Sequence, residues 1–201
     1  YHRNITVPAE WDGRNIRLNF GAVYYKSEVY IDGKLVGRHF GGTSSFSFDI
    51  TPFVKAGQTH SLVVYATSDL RSGKQPAGKQ SLKLNSMACN YTRTTGIWQT
   101  VWMEPVSDGG LKQVQVDTDI DQGQIVVKPL FFHEGKSTLR VTVTDPTAPK
   151  KPVAQKTAVA ANNSVVVLPM KKFRTWSPED PFLYDVKYHV VDEAGTFIDE
   201  V

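Results

Sequence analysis

The sequence predicts an all-β protein built as two β-sandwiches in tandem. Three observations carry that expectation. Apolar residues repeat with a period of two in many short runs, no stretch shows a sustained period of 3.6, and turn residues separate the runs at regular intervals. A length of 201 residues suits two domains of about 100 residues each.

In order along the chain, Ile16, Leu18 and Phe20 alternate with Arg17 and Asn19, the signature of a strand with one wet face. Tyr25 to Ile31 then meets Asp32-Gly33 and Lys34-Leu35-Val36. Asp-Gly between apolar alternations predicts a hairpin over residues 25–37, because both central residues of a type I′ turn need positive φ. Gly41 to Ser45 reads as a loop, and Phe46, Phe48 and Ile50 as the next strand. Thr51-Pro52 predicts a cap and first position of a short helix ending at Gly57. Ser61 to Ala66 is nearly all apolar, which predicts a strand covered on both faces.

From Thr67 the pattern dissolves, and order returns only at Ile97. A loop this long inside a compact domain is functional or disordered. Residues 70–80 fit a basic surface loop as well as a working one. Residues 85–95, with Asn85, Met87, Cys89, Asn90, Tyr91 and Arg93, fit a working loop better.

Ser107-Asp108-Gly109-Gly110 follows as a flexible joint. Beyond it lie strands at 114–117, 124–132, 138–144, 154–160, 164–170 and 182–191, then a turn at Glu193-Ala194-Gly195 and a further start at Thr196. About seven short strands with turns every 8 to 12 residues is the immunoglobulin-like pattern. The lone Cys89 excludes an internal disulfide and reads as a small, partly buried hydrophobe. Trp98 and Trp102 are expected in the core or between domains, Trp11 in the core and Trp176 between domains.

Composition narrows the function classes. With 23 Lys and Arg against 20 Asp and Glu the net charge is +3, too small and too scattered for a nucleic-acid partner. No apolar run approaches the 18 to 20 residues or so that cross a membrane as a helix. The His residues at 2, 39, 60, 133 and 189 lack the tight spacing of a metal site. No nucleophile elbow, phosphate loop or dinucleotide fingerprint occurs, and no cofactor is called for. Sugar recognition remains, since it pairs an aromatic face with amide or guanidinium groups that bond vicinal hydroxyls. Asn90, Tyr91 and Arg93 supply such a set.

The run Tyr91-Thr92-Arg93-Thr94-Thr95-Gly96-Ile97-Trp98-Gln99-Thr100-Val101-Trp102-Met103-Glu104-Pro105 resembles the sugar-binding domain of glycoside hydrolase family 2, the β-galactosidase, β-glucuronidase and β-mannosidase family. Residues 7–11, 20–23, 29–33, 36–42 and 46–51 follow in the family's order. Trp176 to Tyr184 resembles a segment near the end of its immunoglobulin-like domain. The resemblance implies a sugar-binding jelly roll over residues 1–107, short of its first strands, and an immunoglobulin-like sandwich over 108–201, short of its last. Both would precede a (β/α)₈ barrel of about 250 residues. With Tyr1 lacking an initiator Met before it, the expectation is a piece of a longer enzyme.

Members of the family cleave with retention, using two Glu residues about 5 Å apart. Their acid/base Glu follows an Asn, and no Asn-Glu pair occurs here, so no catalytic residue carries over. In bacterial β-galactosidases an Asp six residues before the motif Gly reaches the substrate, and an Arg stands three before it. The matching positions are Asn90 and Arg93. An amide bonds a hydroxyl but holds neither cation nor proton, which sets the chain apart from the galactosidase pattern. The expected partner is therefore a carbohydrate substrate met together with the barrel. A β-glucuronidase type, a stand-alone carbohydrate-binding or adhesive protein and a scaffold that only orients the barrel or supports oligomers are the alternatives, and the full enzyme is a candidate homo-oligomer.

Overall fold

Strand-forming residues alternate between wet and dry faces almost throughout, and the computed structural model is correspondingly all-β. It describes residues 1–192 and 194–201; of the expected turn at 193–195, Glu193 lies outside the described residues. The chain divides into two compact units, Tyr1–Val106 and Ser107–Val201.

The first unit contains β1 (His2–Thr6), β2 (Asn15–Phe20), β3 (Val23–Tyr24), β4 (Lys26–Ile31), β5 (Lys34–Phe40), β6 (Phe46–Asp49), β7 (Thr59–Thr67), β8 (Gly96–Ile97) and β9 (Val101–Val106). They form an antiparallel sheet in the order β1-β7-β4-β5, a second sheet β6-β2-β9 and a short β3-β8 pair. Phe20, Leu18, Ile31, Ile50, Val29 and Val7 fill the core and are fully buried. Phe20 stacks on Phe46 with centroids 4.8 Å apart.

The Asp-Gly hairpin forms between β4 and β5, with φ of 48° at Asp32 and 76° at Gly33. A bulge between Val29 and Tyr30 increases its twist. Asp32 does more than turn the chain. Its carboxylate accepts from Ser61 N at 2.8 Å and from His60 Nδ1 at 2.7 Å, while His60 Nε2 accepts from Lys55 N. The His60 bond, then the Ser61 amide, hold the Asp32 carboxyl below its usual range.

Several expectations fail for identifiable reasons. The polar start of the chain pairs with β7 as β1, because backbone pairing at a sheet edge does not require apolar side chains. The expected single turn forms as a 3₁₀ turn at Thr51–Phe53, but it ends before Gly57 and Thr51 does not cap it. The Thr51 hydroxyl instead accepts from Ile16 N and donates to Asp49 Oδ1, tying two strands together. The strand at Ser61 to Ala66 is not covered on both faces. Within β7 Leu62 and Val64 are buried while Tyr65 stands 58% exposed, the ordinary alternation of an antiparallel sheet with one wet side. Trp11 is half-buried against the core. Trp98 and Trp102 are exposed, not core: Met103 pairs with Leu18 on the inner face, so Trp102 must point outward. Cys89, expected to be partly buried, is exposed and lies in the loop away from the sheets.

The second unit contains β10 (Leu111–Asp119), β11 (Gln124–Phe131), β12 (Ser137–Thr144), β13 (Pro152–Ala160), β14 (Val166–Pro169), β15 (Asp185–Val191) and β16 (Phe197–Glu200). Its sheets are β10-β11-β14 and β13-β12-β15-β16, the two-layer arrangement expected from strand spacing. Val127, Leu139, Val141, Val143, Leu168 and Val190 form the core. Pro129 is tolerated in the middle strand because β14 pairs only with Gln124 to Val127. The strand expected from Phe182 begins at Asp185. Phe182 is held before it, where the Arg174 guanidinium covers its ring at 3.9 Å and bonds both oxygens of Asp180.

Candidate functional site

The stretch between β7 and β8 contributes two buried residues, Leu70 and Ser81. With so little apolar burial, hydrogen bonds must set its path.

They do so in two layers. Near β3 the Gln75 side chain accepts from Asp69 N at 2.8 Å and donates to the Tyr24 hydroxyl at 3.2 Å, and Tyr24 donates to Pro76 O. Further on, Tyr91 N donates to Lys79 O and Ser81 N to Tyr91 O, each at 2.7 Å, a parallel bridge that clamps the two ends of the 80–91 loop. Gln80 Oε1 accepts from Thr94 N at 2.9 Å, and the Ser68 and Thr95 hydroxyls meet at 2.9 Å at the base.

At the tip, Met87 and Asn90 exchange both main-chain bonds at 3.0 Å, with Ala88 at φ 52° between them. A non-glycine residue in the left-handed region costs of order 1–3 kcal/mol and is kept where surroundings over-determine it. This turn aims the residues that follow.

The sequence-predicted trio falls directly after that turn. Asn90 and Arg93 are half-buried and Tyr91 is 66% exposed. The main chains of Asn90 and Tyr91 are fixed by the bonds above, so the loop holds them on a rigid backbone. Their side chains are not used in that bracing. Among the described residues no hydrogen bond or ion pair engages the Asn90 amide, the Tyr91 hydroxyl or the Arg93 guanidinium. A half-buried guanidinium with no internal partner retains up to five N–H donors for a ligand. Leu82, Leu84 and Met87 are exposed in the same loop.

Sequence reasoning missed the bracing residues Tyr24, Gln75 and Gln80. No periodicity marks them, since each acts through one side chain: Tyr24 reaches Pro76 O, Gln80 reaches Thr94 N, and Gln75 reaches Asp69 N and the Tyr24 hydroxyl. At the end of the loop Gly96 has φ 105°, and a Cβ there would lie 2.0 Å from the Tyr1 hydroxyl, which accepts from Ile97 N. Trp98 follows, its indole Nε1 donating to Gly42 O at 2.8 Å. The motif glycine is thus required by close approach of the first residue.

A cleft of about 670 Å³ also opens between the edge strands β1 and β9. It is lined by the apolar Leu18, Leu62, Val64 and Met103 and, along β1, by His2, Asn4 and Thr6.

Comparison with known proteins bears on both units. Residues 1–82 match a family model described as the sugar binding domain of glycosyl hydrolases family 2, and residues 110–201 match a second described as glycosyl hydrolases family 2. The trio at 90–93 lies between the two matches. A β-galactosidase of Thermoanaerobacter pseudethanolicus is 25% identical over 199 residues, covering 96% of this chain and 26% of that protein. A β-glucuronidase of Bacteroides fragilis is 26% identical, covering all of this chain and 30% of that protein. The structure of a β-glucuronidase from Ruminococcus gnavus superposes with a TM-score of 0.75 at 22% identity, over all of this chain and 34% of that one. The chain therefore spans about a third or less of the length of these relatives.

Proposed function

The chain belongs to glycoside hydrolase family 2, and from that membership we propose that it is the non-catalytic front part of a retaining β-glycosidase of the β-galactosidase or β-glucuronidase type. In this reading the two units are the sugar-binding and immunoglobulin-like sandwiches, with further strands and a (β/α)₈ barrel supplied by other parts of the polypeptide. The barrel carries both catalytic carboxylates, and the 201-residue chain alone turns over no glycoside. The loop at 85–95 shapes one wall of the sugar site. Asn90 and Arg93 bond hydroxyls or a carboxylate of the glycone, and Tyr91 presents its ring.

One observation carries the assignment of the loop: 3.0 and 2.7 Å bonds lock the main chain of Asn90 and Tyr91, and the Asn90 amide and the Arg93 guanidinium just after it are groups that the described residues do not use. Preorganised but unspent donors are what a ligand site needs, because their ordering cost is met in advance. The names of the relatives support the reaction class.

The test uses the full-length enzyme on nitrophenyl β-galactoside and β-glucuronide. Asn90→Ala and Arg93→Ala should each lower kcat/KM about tenfold or more, the loss of one hydrogen bond to a charged or strongly polar partner. Unchanged kcat/KM in both variants would leave the loop a structural element only. Measurable turnover by the purified 201-residue chain would overturn the non-catalytic assignment.

A further inference from the structure

The outer face of the β1-β7-β4-β5 sheet carries side chains that a merely wet sheet face does not need. Alternation sends Val29, Ile31, Leu62 and Val64 into the core, so Lys26, Glu28 and Tyr30 of β4, Arg38 and Phe40 of β5 and Tyr65 of β7 point the other way. The register sets Arg38, Glu28 and Tyr65 in one row across three strands, and Phe40 beside Lys26 in the next. Phe40 is 61% exposed and Tyr65 58%. Two strand spacings and one two-residue step place their Cα atoms about 12 Å apart.

Between the two rings lies a fixed polar centre. Glu28 accepts from the Tyr30 hydroxyl at 2.6 Å and from Arg38 Nε at 3.0 Å, with Lys26 Nζ at 3.7 Å. The Tyr30 bond first, then the Arg38 bond, hold its carboxyl below the usual range. Glu28 therefore positions Arg38 and Lys26 while using only part of their donor capacity. The two cations are 53% and 42% exposed, and on this face the residues of β4, β5 and β7 set them against the single carboxylate of Glu28. Lys26 Nζ also lies 5.7 Å from the Phe40 ring centroid.

Resting on the reading above that this unit serves a glycosidase, we propose that this face is a second carbohydrate-binding surface, separate from the 85–95 loop, that takes an acidic oligosaccharide. Pyranose faces stack on Tyr65 and Phe40, and the carboxylates of uronic acid units bind the free N–H groups of Arg38 and Lys26. The spacing of the rings suits a chain of several sugar units rather than a monosaccharide. The excess of positive over negative charge on the face selects anionic glycans over neutral ones.

The test titrates the 201-residue chain with tetragalacturonate and, in parallel, with neutral xylotetraose, by calorimetry and by amide chemical shifts. Tetragalacturonate should bind more tightly. Tyr65→Ala and Phe40→Ala should each weaken it at least tenfold, Tyr65→Phe should retain it, and Arg38→Ala should remove the preference for the acidic glycan. All three positions are exposed, so unchanged melting midpoints are expected for the four variants and serve as the control for folding. Absence of binding, equal affinity for both glycans, or wild-type affinity in Tyr65→Ala and Phe40→Ala would each overturn the proposal. So would a change in sedimentation with no change in glycan affinity, which would identify a protein interface. Aryl glycoside turnover by the full-length enzyme without glycan binding to this face removes the second surface alone. Glycan binding without turnover removes the glycosidase reading alone.

Discussion

Within the first unit the two sheets and the loop at 68–95 are ordered by different means. The sheets rest on area removed from water: ten core residues pack together at 7% exposure or less, and each neighbour supports several others. The loop rests on single bonds, from Gln75, Gln80, Tyr24 and the Lys79–Tyr91–Ser81 clamp, each worth about 1 kcal/mol net. The difference teaches where a binding function can be placed. A core spends all of its surface on itself, whereas a loop braced through its backbone leaves side chains such as Asn90 and Arg93 free for something else.

The comparison breaks most severely if the core is opened. Phe20 is fully buried and stacked on Phe46, so Phe20→Ala should cost about 3–5 kcal/mol in urea unfolding, and the loop should unfold with the sheets. Loop protection surviving in that variant would show that the loop is ordered independently. A smaller but still global effect is expected at Gly37. A Cβ there would lie 2.3 Å from Phe48, whose ring is itself packed against Phe46 at 5.6 Å. Gly37→Ala should therefore destabilise by about 1–3 kcal/mol through overpacking, read as a lower melting midpoint.

Gln80→Ala addresses the loop alone. It removes the acceptor of Thr94 N and should raise hydrogen exchange at Thr94 and Tyr91 by about tenfold, the equivalent of one hydrogen bond, while amides of β4 and β7 keep their protection. Equal acceleration in the strands would mean that loop and core form one cooperative element.

What was legible in the sequence follows the same division. The Asp32-Gly33 hairpin, the alternation of β2 and the spacing of the second unit's strands were readable because burial imposes a period of two. Trp102 was misplaced because hydrophobic character says nothing about which phase of the alternation faces inward; only the pairing of Met103 with Leu18 decides it. Trp98 lies before β9, outside that alternation, with its indole bonded to Gly42 O. β1 was invisible because a strand held by backbone pairing carries no side-chain pattern. In the loop, the polar trio could be read as residue types. The bracing by Gln75 and Gln80 could not, since a contact between residues 24 and 75 or 80 and 94 leaves no local trace.

Two buried serines reduce the contrast to a single hydroxyl. Ser81, 2% exposed in the loop, accepts from Lys83 N at 3.1 Å and so takes part in the turn that starts the 80–91 loop. Ser27, fully buried on the inner side of β4, has no hydrogen-bond partner for its Oγ among the described residues. A buried hydroxyl gains nothing from its polarity when it is unpaired, because desolvation is uncompensated. Ser81→Ala should then destabilise by about 0.5–1.5 kcal/mol, with the loss seen first as faster exchange at Lys83. Ser27→Ala, which keeps nearly the same volume, should leave stability unchanged or raise it by about 1 kcal/mol. If Ser27→Ala instead destabilises the unit as much as Ser81→Ala, the Ser27 hydroxyl is paired through a bound water, and the core of this unit is less dry than its side chains imply.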